Sequence, residues 1–386
     1  MSNTIYFSRF GFNENGNGGN HRAVQLCKAF ESMDLDLVTT EIESPSDFVT
    51  PPISTLKRIK RRITILNRIG DTVYSIGENV KLKKMYWKYG SWQPEYHGNI
   101  DMLRGISKKW ANSLDEVDKI KLAFVEDPIY FLPLVKKLKA LKVPVVALCQ
   151  NLESLSDGQA KEVRQRNLFN NELDILSICD LVVTISAEEY FILNNLGINA
   201  TYFPYFPVAA IEKRLLEIRE SRKNTEKSDI LLLGTASNAP TKKGMLKIIN
   251  TWKECGLRQS VSRLVVAGYS TEQFNDLADD DVLVLGSLSA DDLNERLTTI
   301  KACLCYQDKA SGALTRISEM LVAGIPVLAN TQAARSYHNL RGLIEFQTVD
   351  DIEKAFKEID LVEGSIPIPP KPETSYLLSK VADLID

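Results

Sequence analysis

A chain of 386 residues is long for a single core and suits two domains. Its 44% apolar and 25% charged content is that of an ordinary soluble globular protein. The formal net charge of -3 argues against a general nucleic-acid binder, which would be basic.

In chain order, Ile5-Tyr6-Phe7-Ser8 predicts a first strand, followed by a Gly/Asn-rich loop from Gly11 to Asn20. A helix then starts near His21 and carries Ala23, Val24, Leu26, Cys27, Ala29 and Phe30. Strand, glycine loop and helix form the first unit of a nucleotide-fold domain. The loop lacks the spaced dinucleotide fingerprint, but it would let a substrate approach the backbone closely. Residues 50–115 are harder to place. They hold two basic clusters, Lys57 to Arg62 and Lys81 to Lys88, with Tyr86, Trp87, Tyr89, Trp92, Tyr96 and Trp110 beside or beyond the second. One reading is a solvated helical face whose aromatics pack inward, which is the commoner arrangement. The other is a basic-aromatic surface over 57–92 that touches anionic headgroups or an anionic acceptor.

Regularity returns at Leu122-Ala123-Phe124-Val125, a buried strand ending in Glu126-Asp127-Pro128. A helix from Leu132 to Leu141 leads to a strand from Val143 to Leu148, which runs into Cys149-Gln150-Asn151-Leu152-Glu153. Strands alternating with helices at this spacing predict a parallel sheet, with ligands beyond the strand C-termini. That places Gln150, Asn151 and Glu153 where a site would be. A helix from Val163 to Leu176 contains Glu172, and a buried strand runs from Cys179 to Ser186. Ser186 and Glu189 have the spacing of a capping box for the next helix. The proline-punctuated run from Tyr202 to Pro207 reads as the linker closing the first domain.

A second α/β series begins with the strand Asp229 to Gly234, a loop from Thr235 to Lys243 and a helix from Gly244 through Trp252. Strands follow at Leu264 to Gly268, Val282 to Gly286 and Ala302 to Tyr306, with a helix from Asp291 to Ile300. Asp279-Asp280-Asp281 reads as an exposed turn rather than a metal-binding cluster. From Ser311 to Asn330 the pattern is a Gly-containing loop, an amphipathic helix, a stop and a strand. Leu314, Ile317, Leu321 and Val322 fall near one helix face, and Gly324 and Pro326 end the helix. Glu319 lies about two turns past Gly312, at roughly 3.6 residues per turn. An acid there could accept hydrogen bonds from vicinal hydroxyls such as those of a ribose; the competing reading is a solvated surface acid. An extended tail from Pro367 to Pro372 precedes a last amphipathic helix with Leu377, Leu378, Val381 and Leu384.

The six cysteines sit mostly in apolar runs without a C-x-x-C pair, and so read as buried reduced thiols. The N-terminus has no basic n-region, and no window approaches about 18 consecutive apolar residues. A cytoplasmic protein is expected, with 57–92 as the stretch that would meet the inner face of a membrane.

Five pieces, in order, carry a resemblance: Gly18-Gly19; Gln150-Asn151-Leu152-Glu153; Glu172 followed by Cys179 to Ser186; Leu231 to Gly234 with Lys243-Gly244; and Ser311-Gly312 through Glu319 with Gly324-Ile325-Pro326-Val327. Together they resemble the motif series of GT-B fold glycosyltransferases, nearest to the retaining glycosyltransferase family 4, over most of the chain outside about 45–115. The resemblance implies an α/β protein of two Rossmann-like domains facing across a cleft. Residues 1–207 would hold the acceptor, 208–366 the nucleotide sugar, and 367–386 would form a C-terminal segment and helix crossing back to the first domain. It implies a UDP- or GDP-sugar as substrate, no cofactor and no metal. The acceptor would be a glycan, a lipid-linked or a protein-linked hydroxyl.

By the same resemblance, Glu319 matches the second acid of the family's E-x7-E motif, which binds the donor ribose. Gly312 and the following amides of Ala313, Leu314 and Thr315 match groups near the donor diphosphate and sugar. Lys243 matches the lysine that neutralises the diphosphate, a role suited to an ammonium point charge, while Gly18, Gly19 and Gly234 complete the donor set. Three positions depart from the family. Ser311 replaces the first acid of E-x7-E, Gln150 replaces a histidine, and Thr235 stands where an arginine is usual. His21 and Glu153 are the neighbours that would supply a polar contact beside Gln150 at the catalytic centre. These departures keep a second reading open, a GT-B binding or partner subunit without catalysis, and, behind it, another nucleotide-sugar enzyme such as an epimerase.

Overall fold

Short runs of β-branched and other apolar residues, spaced by amphipathic segments, build two six-stranded sheets. The computed structural model describes residues 3–14, 16–33, 36–41, 120–155, 162–254, 263–308, 311–337 and 339–385. The two basic clusters, the aromatics from Tyr86 to Trp110 and Cys255 lie outside the described residues.

The first sheet comprises β1 (Asn3–Ser8), β2 (Asp36–Glu41), β3 (Ile120–Glu126), β4 (Val145–Cys149), β5 (Leu181–Thr184) and β6 (Ala200–Tyr202). Its order is β2-β1-β3-β4-β5-β6. The second comprises β7 (Ile230–Leu233), β8 (Leu264–Ala267), β9 (Val282–Gly286), β10 (Ala302–Cys305), β11 (Val327–Asn330) and β12 (Leu343–Phe346). Its order is β12-β11-β10-β7-β8-β9. Every pairing is parallel. The strand order reverses between β1 and β3 in one sheet and between β7 and β10 in the other. At such points the connections leave toward opposite faces and open a crevice beyond the strand C-termini.

The connecting helices are α1 (Gly18–Glu31), α2 (Leu132–Ala140), α3 (Glu162–Leu176) and α4 (Ala187–Asn195) in the first lobe. Then come α5 (Ala209–Arg222), α6 (Ala239–Glu254), α7 (Ala290–Thr299), α8 (Thr315–Val322), α9 (Thr331–Ala334) and α10 (Ile352–Val362). The chain ends with α11 (Thr374–Ala382). None of the described helices is long and apolar enough to cross a membrane.

Alternate strand residues serve opposite faces, as the two-residue period requires. Ile5, Ala123, Val125, Val145 and Ala147 pack on one side of the first sheet, against Leu134 and Leu138 of α2. Tyr6, Leu122, Phe124, Val146 and Leu148 pack on the other, against Leu26 and Phe30 of α1. There Phe30 and Phe124 stack at 3.9 Å between ring centroids. Truncating such a buried ring, as in Phe124→Ala, costs about 3–5 kcal/mol. The second sheet is covered by α5 and α8 on one face and by α6 and α10 on the other. The tail returns to the first lobe, where Leu377 and Val381 are buried beside Tyr6 and Phe30, the crossing back that the resemblance implied. Helix α5 is tied into the second lobe by arginines. Arg219 donates to the Leu321 and Val322 carbonyls at the end of α8, and Arg222 to the Leu297 and Ile300 carbonyls at the end of α7. Carbonyls in the last turn of a helix have no partner inside it, so these bonds satisfy them.

Several boundaries differ from the sequence reading. Helix α1 begins at Gly18 rather than near His21, because the Asn17 side chain accepts from the Gly19 and Asn20 amides and Asn20 reciprocates. Gly18 and Gly19 are therefore first-turn residues, not loop residues. Helix α6 begins at Ala239, with Pro240 in the first turn, where a fixed φ and a missing N–H are tolerated. Lys243 thus lies on a helix rather than in a loop. Ser186 caps α4 through the Glu189 amide at 3.3 Å, but the Glu189 carboxylate turns away from the cap, so the reciprocal half of the capping box is missing. The stop of α8 is as read: the Gly324 and Ile325 amides close onto the Leu321 and Met320 carbonyls. Asp279 accepts from the Asp281 and Val282 amides as an exposed turn. The five described cysteines are buried and free.

Candidate functional site

The C-terminal edges of the two sheets meet, and the first turns of α1 and α8 face each other there. A Cβ at Gly18 would overlap the Thr315 hydroxyl. One turn into each helix, His21 Nδ1 donates to Glu319 Oε1 at 2.7 Å, and the Tyr205 hydroxyl donates to the same oxygen at 2.7 Å. Burial alone would raise the Glu319 pKa, but these two bonds and the nearby charge hold it below the usual carboxylate range. Burial and the Glu319 charge push the Tyr205 phenol far up, so it stays a donor. Glu319 is therefore neither solvated nor free on both oxygens. Oε1 ties the lobes together, and Oε2 takes no bond among the described residues. The other His21 nitrogen, Nε2, is buried without a partner among the described residues.

Gly312 sits at φ 69°, and a Cβ there would overlap the Gln150 carbonyl oxygen across the crevice. Both conditions require glycine. Its N–H donates to Glu189 Oε1 at 2.6 Å, and its carbonyl accepts from Arg335. Ser311 Oγ donates to the Leu152 carbonyl at 2.8 Å, a bond that a carboxylate at 311 could not make. Ser336 Oγ donates to Glu188 at 2.9 Å. The crevice is closed by contacts between the lobes.

On the first-lobe edge, three buried acids hold the loop after β4 by its amides. Asp127 accepts from Gln150 N at 3.1 Å, Glu189 from Leu152 N at 3.0 Å, and Glu172 from Glu153 N at 2.9 Å and Ser154 N at 3.0 Å. The Ser154 hydroxyl also donates to Glu172. Such amide-to-carboxylate bonds are the stronger kind, and without them this buried loop would leave N–H groups unpaired. Burial pushes Asp127 up to about 7, Glu189 to about 7 and Glu172 to about 8, against the hydrogen bonds that pull each of them down. Arg9, directly after β1, is the neighbouring cation. It reaches Asp127 at 2.8 Å and Glu153 at 3.4 Å and lies over the Tyr130 ring. Glu153 also accepts from the Tyr130 hydroxyl at 2.8 Å. It therefore faces into the first lobe, away from the meeting point of α1 and α8.

On the second-lobe edge, α6 packs on the segment after β10. Lys247 reaches the Tyr306 hydroxyl at 2.5 Å and Asp308 at 3.2 Å, and Lys243 lies 3.6 Å from Asp308. Arg316, in the first turn of α8, donates to the Leu233 carbonyl at the end of β7. Helix α8 has no side-chain cap and no acid in its first turn.

The structure thus brings Gly18, Gly19, His21, Gln150, Ser311, Gly312, Thr315 and Glu319 to one crevice. Gln150 Nε2 reaches the Gly19 carbonyl at 3.5 Å. Gly234 lies against Thr241 and Arg316, and Lys243 lies beside Asp308 at the exposed side of α6. Ala313 and Leu314 pack partly on the second-lobe core. Sequence reasoning missed Arg9, Glu189, Tyr205 and Arg316 as members of this region. Arg9 could have been found, since it directly follows a strand. Glu189 was hidden by its cap-like spacing and Tyr205 by its place in a linker. Among the described residues no group of three His, Cys, Asp or Glu side chains is arranged to hold a metal ion.

No protein-family model and no curated protein matches the chain in sequence. Solved structures do match in shape. Sucrose-phosphate synthase from Thermosynechococcus elongatus is 13% identical with a TM-score of 0.59, covering 100% of this chain and 95% of that one. The UDP-GlcNAc 2-epimerase of Methanocaldococcus jannaschii, solved with UDP-GlcNAc and UDP, is 11% identical with a TM-score of 0.55, covering 99% of this chain and 100% of that one. TarM is 13% identical with a TM-score of 0.54 over 69% of this chain. This chain spans 54% of TarM's length. The fold is GT-B, two parallel α/β lobes facing across a crevice.

Proposed function

We propose that the chain transfers a glycosyl group from a nucleotide sugar, held by the second lobe, to an acceptor hydroxyl held by the first. The observation that carries this reading is the meeting of the α1 and α8 N-termini at the crevice of a GT-B fold, with α8 uncapped. Unpaired first-turn amides and the dipole make a helix N-terminus a ready site for a diphosphate. Glu319 Oε2 would receive ribose hydroxyls. Helix α8 and Lys243 would meet the charge that develops on the leaving diphosphate, a task that side chains and amides can perform without a metal. The family 4 resemblance supports a retaining course, with the diphosphate assisting front-face attack and Gln150 and His21 orienting the sugar. The closing contacts, His21 on Glu319 and Glu189 on Gly312, would part to admit the donor and re-form around it, excluding water.

A UDP- or GDP-sugar donor, a glycan, lipid-linked or protein-linked acceptor, a cytoplasmic setting and a peripheral membrane contact through 57–92 belong to the same proposal. A thermal-shift screen against UDP-, GDP- and ADP-sugars tests it. One base is expected to raise the melting temperature, since a ligand of the native state stabilises it, and turnover is expected to collapse in Glu319→Ala. No shift with any of them at millimolar concentration would overturn it.

A second reading, a partner subunit without catalysis, is favoured by one set of contacts. The Gly312 amide is filled by the chain's own Glu189, and Ser311 is bonded to Leu152. Donor binding without turnover across an acceptor panel would select it.

A further inference from the structure

The run Ala302-Cys303-Leu304-Cys305 puts two thiols on one face of β10, because strand side chains alternate. At its C-terminal end, Cys305 lines a small recess between the ends of β7 and β10, together with Gln307 and Arg316. The recess has a volume of about 10 Å³, room for about one oxygen atom. Gln307 is 8% exposed, and its backbone is pinned by Asn330, whose Oδ1 accepts from the Gln307 amide at 2.9 Å and whose Nδ2 donates to its carbonyl at 2.7 Å. The Gln307 Oε1 is buried without a partner among the described residues. Such an acceptor calls for a hydrogen-bond donor. Arg316 has five N–H donors. Among the described residues one hydrogen bond uses them, to the Leu233 carbonyl, and no carboxylate pairs with the guanidinium.

The described cysteines do not share one environment. Burial, added to by the charges of Glu31 and Asp180, pushes Cys27 and Cys179 up to about 12. Burial likewise raises Cys149. Cys303 is raised because it donates to the Cys305 sulfur. That same bond, with the Arg316 charge, lowers Cys305 against the effect of burial. A thiolate is the reactive form of cysteine, and a neighbouring cation is what favours it.

We propose that Cys305 is a peroxide-oxidised site, its sulfur taking one oxygen to form a sulfenic acid that the recess holds between Gln307 and Arg316. Hydrogen peroxide, little larger than water, reaches the sulfur through the recess. The sulfur attacks one peroxide oxygen, the S–O bond forms and the O–O bond breaks. The departing hydroxide takes the thiol proton and leaves as water, so sulfur gives up two electrons and peroxide accepts them. The S–O–H group then donates to Gln307 Oε1, the acceptor that lacks a donor, and its oxygen accepts from Arg316. One added atom fits a recess of that volume without moving the core around Ile317 and Met320. The modification needs no nucleotide and stands apart from the glycosyl-transfer reading.

Timed treatment of the reduced full chain with hydrogen peroxide, read by mass spectrometry of its peptides, tests the site. Cys305 is expected to gain one oxygen before Cys27, Cys149, Cys179 or Cys303 does. A thiol reductant should remove it, which separates it from a methionine sulfoxide. Cys303→Ser keeps a hydroxyl beside the sulfur and removes the competing thiol, so the oxygen found in that variant belongs to Cys305. Arg316→Gln is expected to slow the reaction about threefold or more, since a raised pKa costs more thiolate than it returns in nucleophilicity. If that variant fails to fold, Cys305→Ser decides the matter, because it should lose the fast-reacting position. Oxygen arriving on any of the other four while Cys305 stays reduced, or on none of the five, would overturn the proposal. So would an equal rate in folded Arg316→Gln.

Discussion

The two edges of the crevice are built from the same kind of strand end but lined by groups of opposite charge. On the first-lobe edge, Asp127, Glu172 and Glu189 are matched to the amides of Gln150, Leu152, Glu153 and Ser154, and Arg9 neutralises part of the remaining charge. Its polar groups find most of their partners inside the chain. On the second-lobe edge, among the described residues, Arg316 has one bonded donor, Gln307 has an Oε1 without a partner, and α8 has no side-chain cap. Buried polar groups that are fully paired serve the fold, whereas groups left open await something from outside. Acidity and burial therefore do not by themselves mark the working edge of this molecule, and among the described residues both edges keep buried polar atoms without a partner: His21 Nε2, Asn151 Oδ1 and Glu189 Oε2 on the first lobe and Gln307 Oε1 on the second.

The contrast can be broken most severely on the acidic side. Glu172→Ala leaves the amides of Glu153 and Ser154 and the Ser154 hydroxyl without their acceptor. At about 1–3 kcal/mol for each buried unpaired group, a loss of about 3 kcal/mol or more is expected. Urea unfolding measures it, and a loss below about 1 kcal/mol would mean that the loop finds other partners.

Next in size is the dependence on pH. Asp127, Glu172 and Glu189 have folded pKa values raised above their unfolded ones. The folded state then binds more protons than the unfolded state between about pH 4 and 8, so stability falls as pH rises through that window. Glu319 works the other way, because its lowered pKa contributes stability that is lost as pH falls toward its folded value. The maximum therefore lies at or below about pH 4, with a loss on the order of 2 kcal/mol or more between there and pH 8. Melting curves across this range check it, and Glu172→Gln should flatten the slope. A rise in stability toward pH 8 would contradict the assignment.

A smaller effect belongs to the link between the lobes. A double-mutant cycle of His21→Ala and Glu319→Gln should give a coupling of about 1.5–3 kcal/mol, as for a hydrogen bond to a charged group. Tyr205→Phe should cost about 1 kcal/mol, since Glu319 keeps its bond to His21. Additive effects would show that the bridge contributes nothing in solution. Least of all, Lys243→Ala and Lys247→Ala should move the melting temperature by no more than about 2 °C, because both side chains are largely exposed and their ion pairs are screened. In Lys243→Ala, nucleoside diphosphate binding should weaken. An unchanged affinity would remove Lys243 from the diphosphate's surroundings.

Much of the fold was legible before the structure. Runs such as Val145 to Leu148 and Leu264 to Ala267 are apolar throughout because helices cover both faces of their sheets. Their spacing by amphipathic segments implied two parallel lobes. The turn at Gly324 was equally plain. Helix starts were less so, since Asn17 and Pro240 act through local hydrogen bonding and a preset dihedral that a hydrophobic period does not register. The candidate site was legible as a neighbourhood but not as a set of partners. Gly312, Glu319 and His21 were all placed near a crevice, yet nothing in their spacing said that Glu319 would take its bonds from residues 298 and 114 positions away.

The sequence by itself determined the elements, their order and the apolar faces that cover each sheet, because these follow from periodicity over a few residues. Which carboxylate meets which amide was decided only in three dimensions. Glu189 has the spacing of a cap but bonds Leu152 and Gly312, and Gln307 shows no pattern yet ends with an orphan oxygen beside Arg316. Hydrogen bonds are short and directional, so an ångström of placement between distant segments settles whether a polar group is satisfied or left for a ligand.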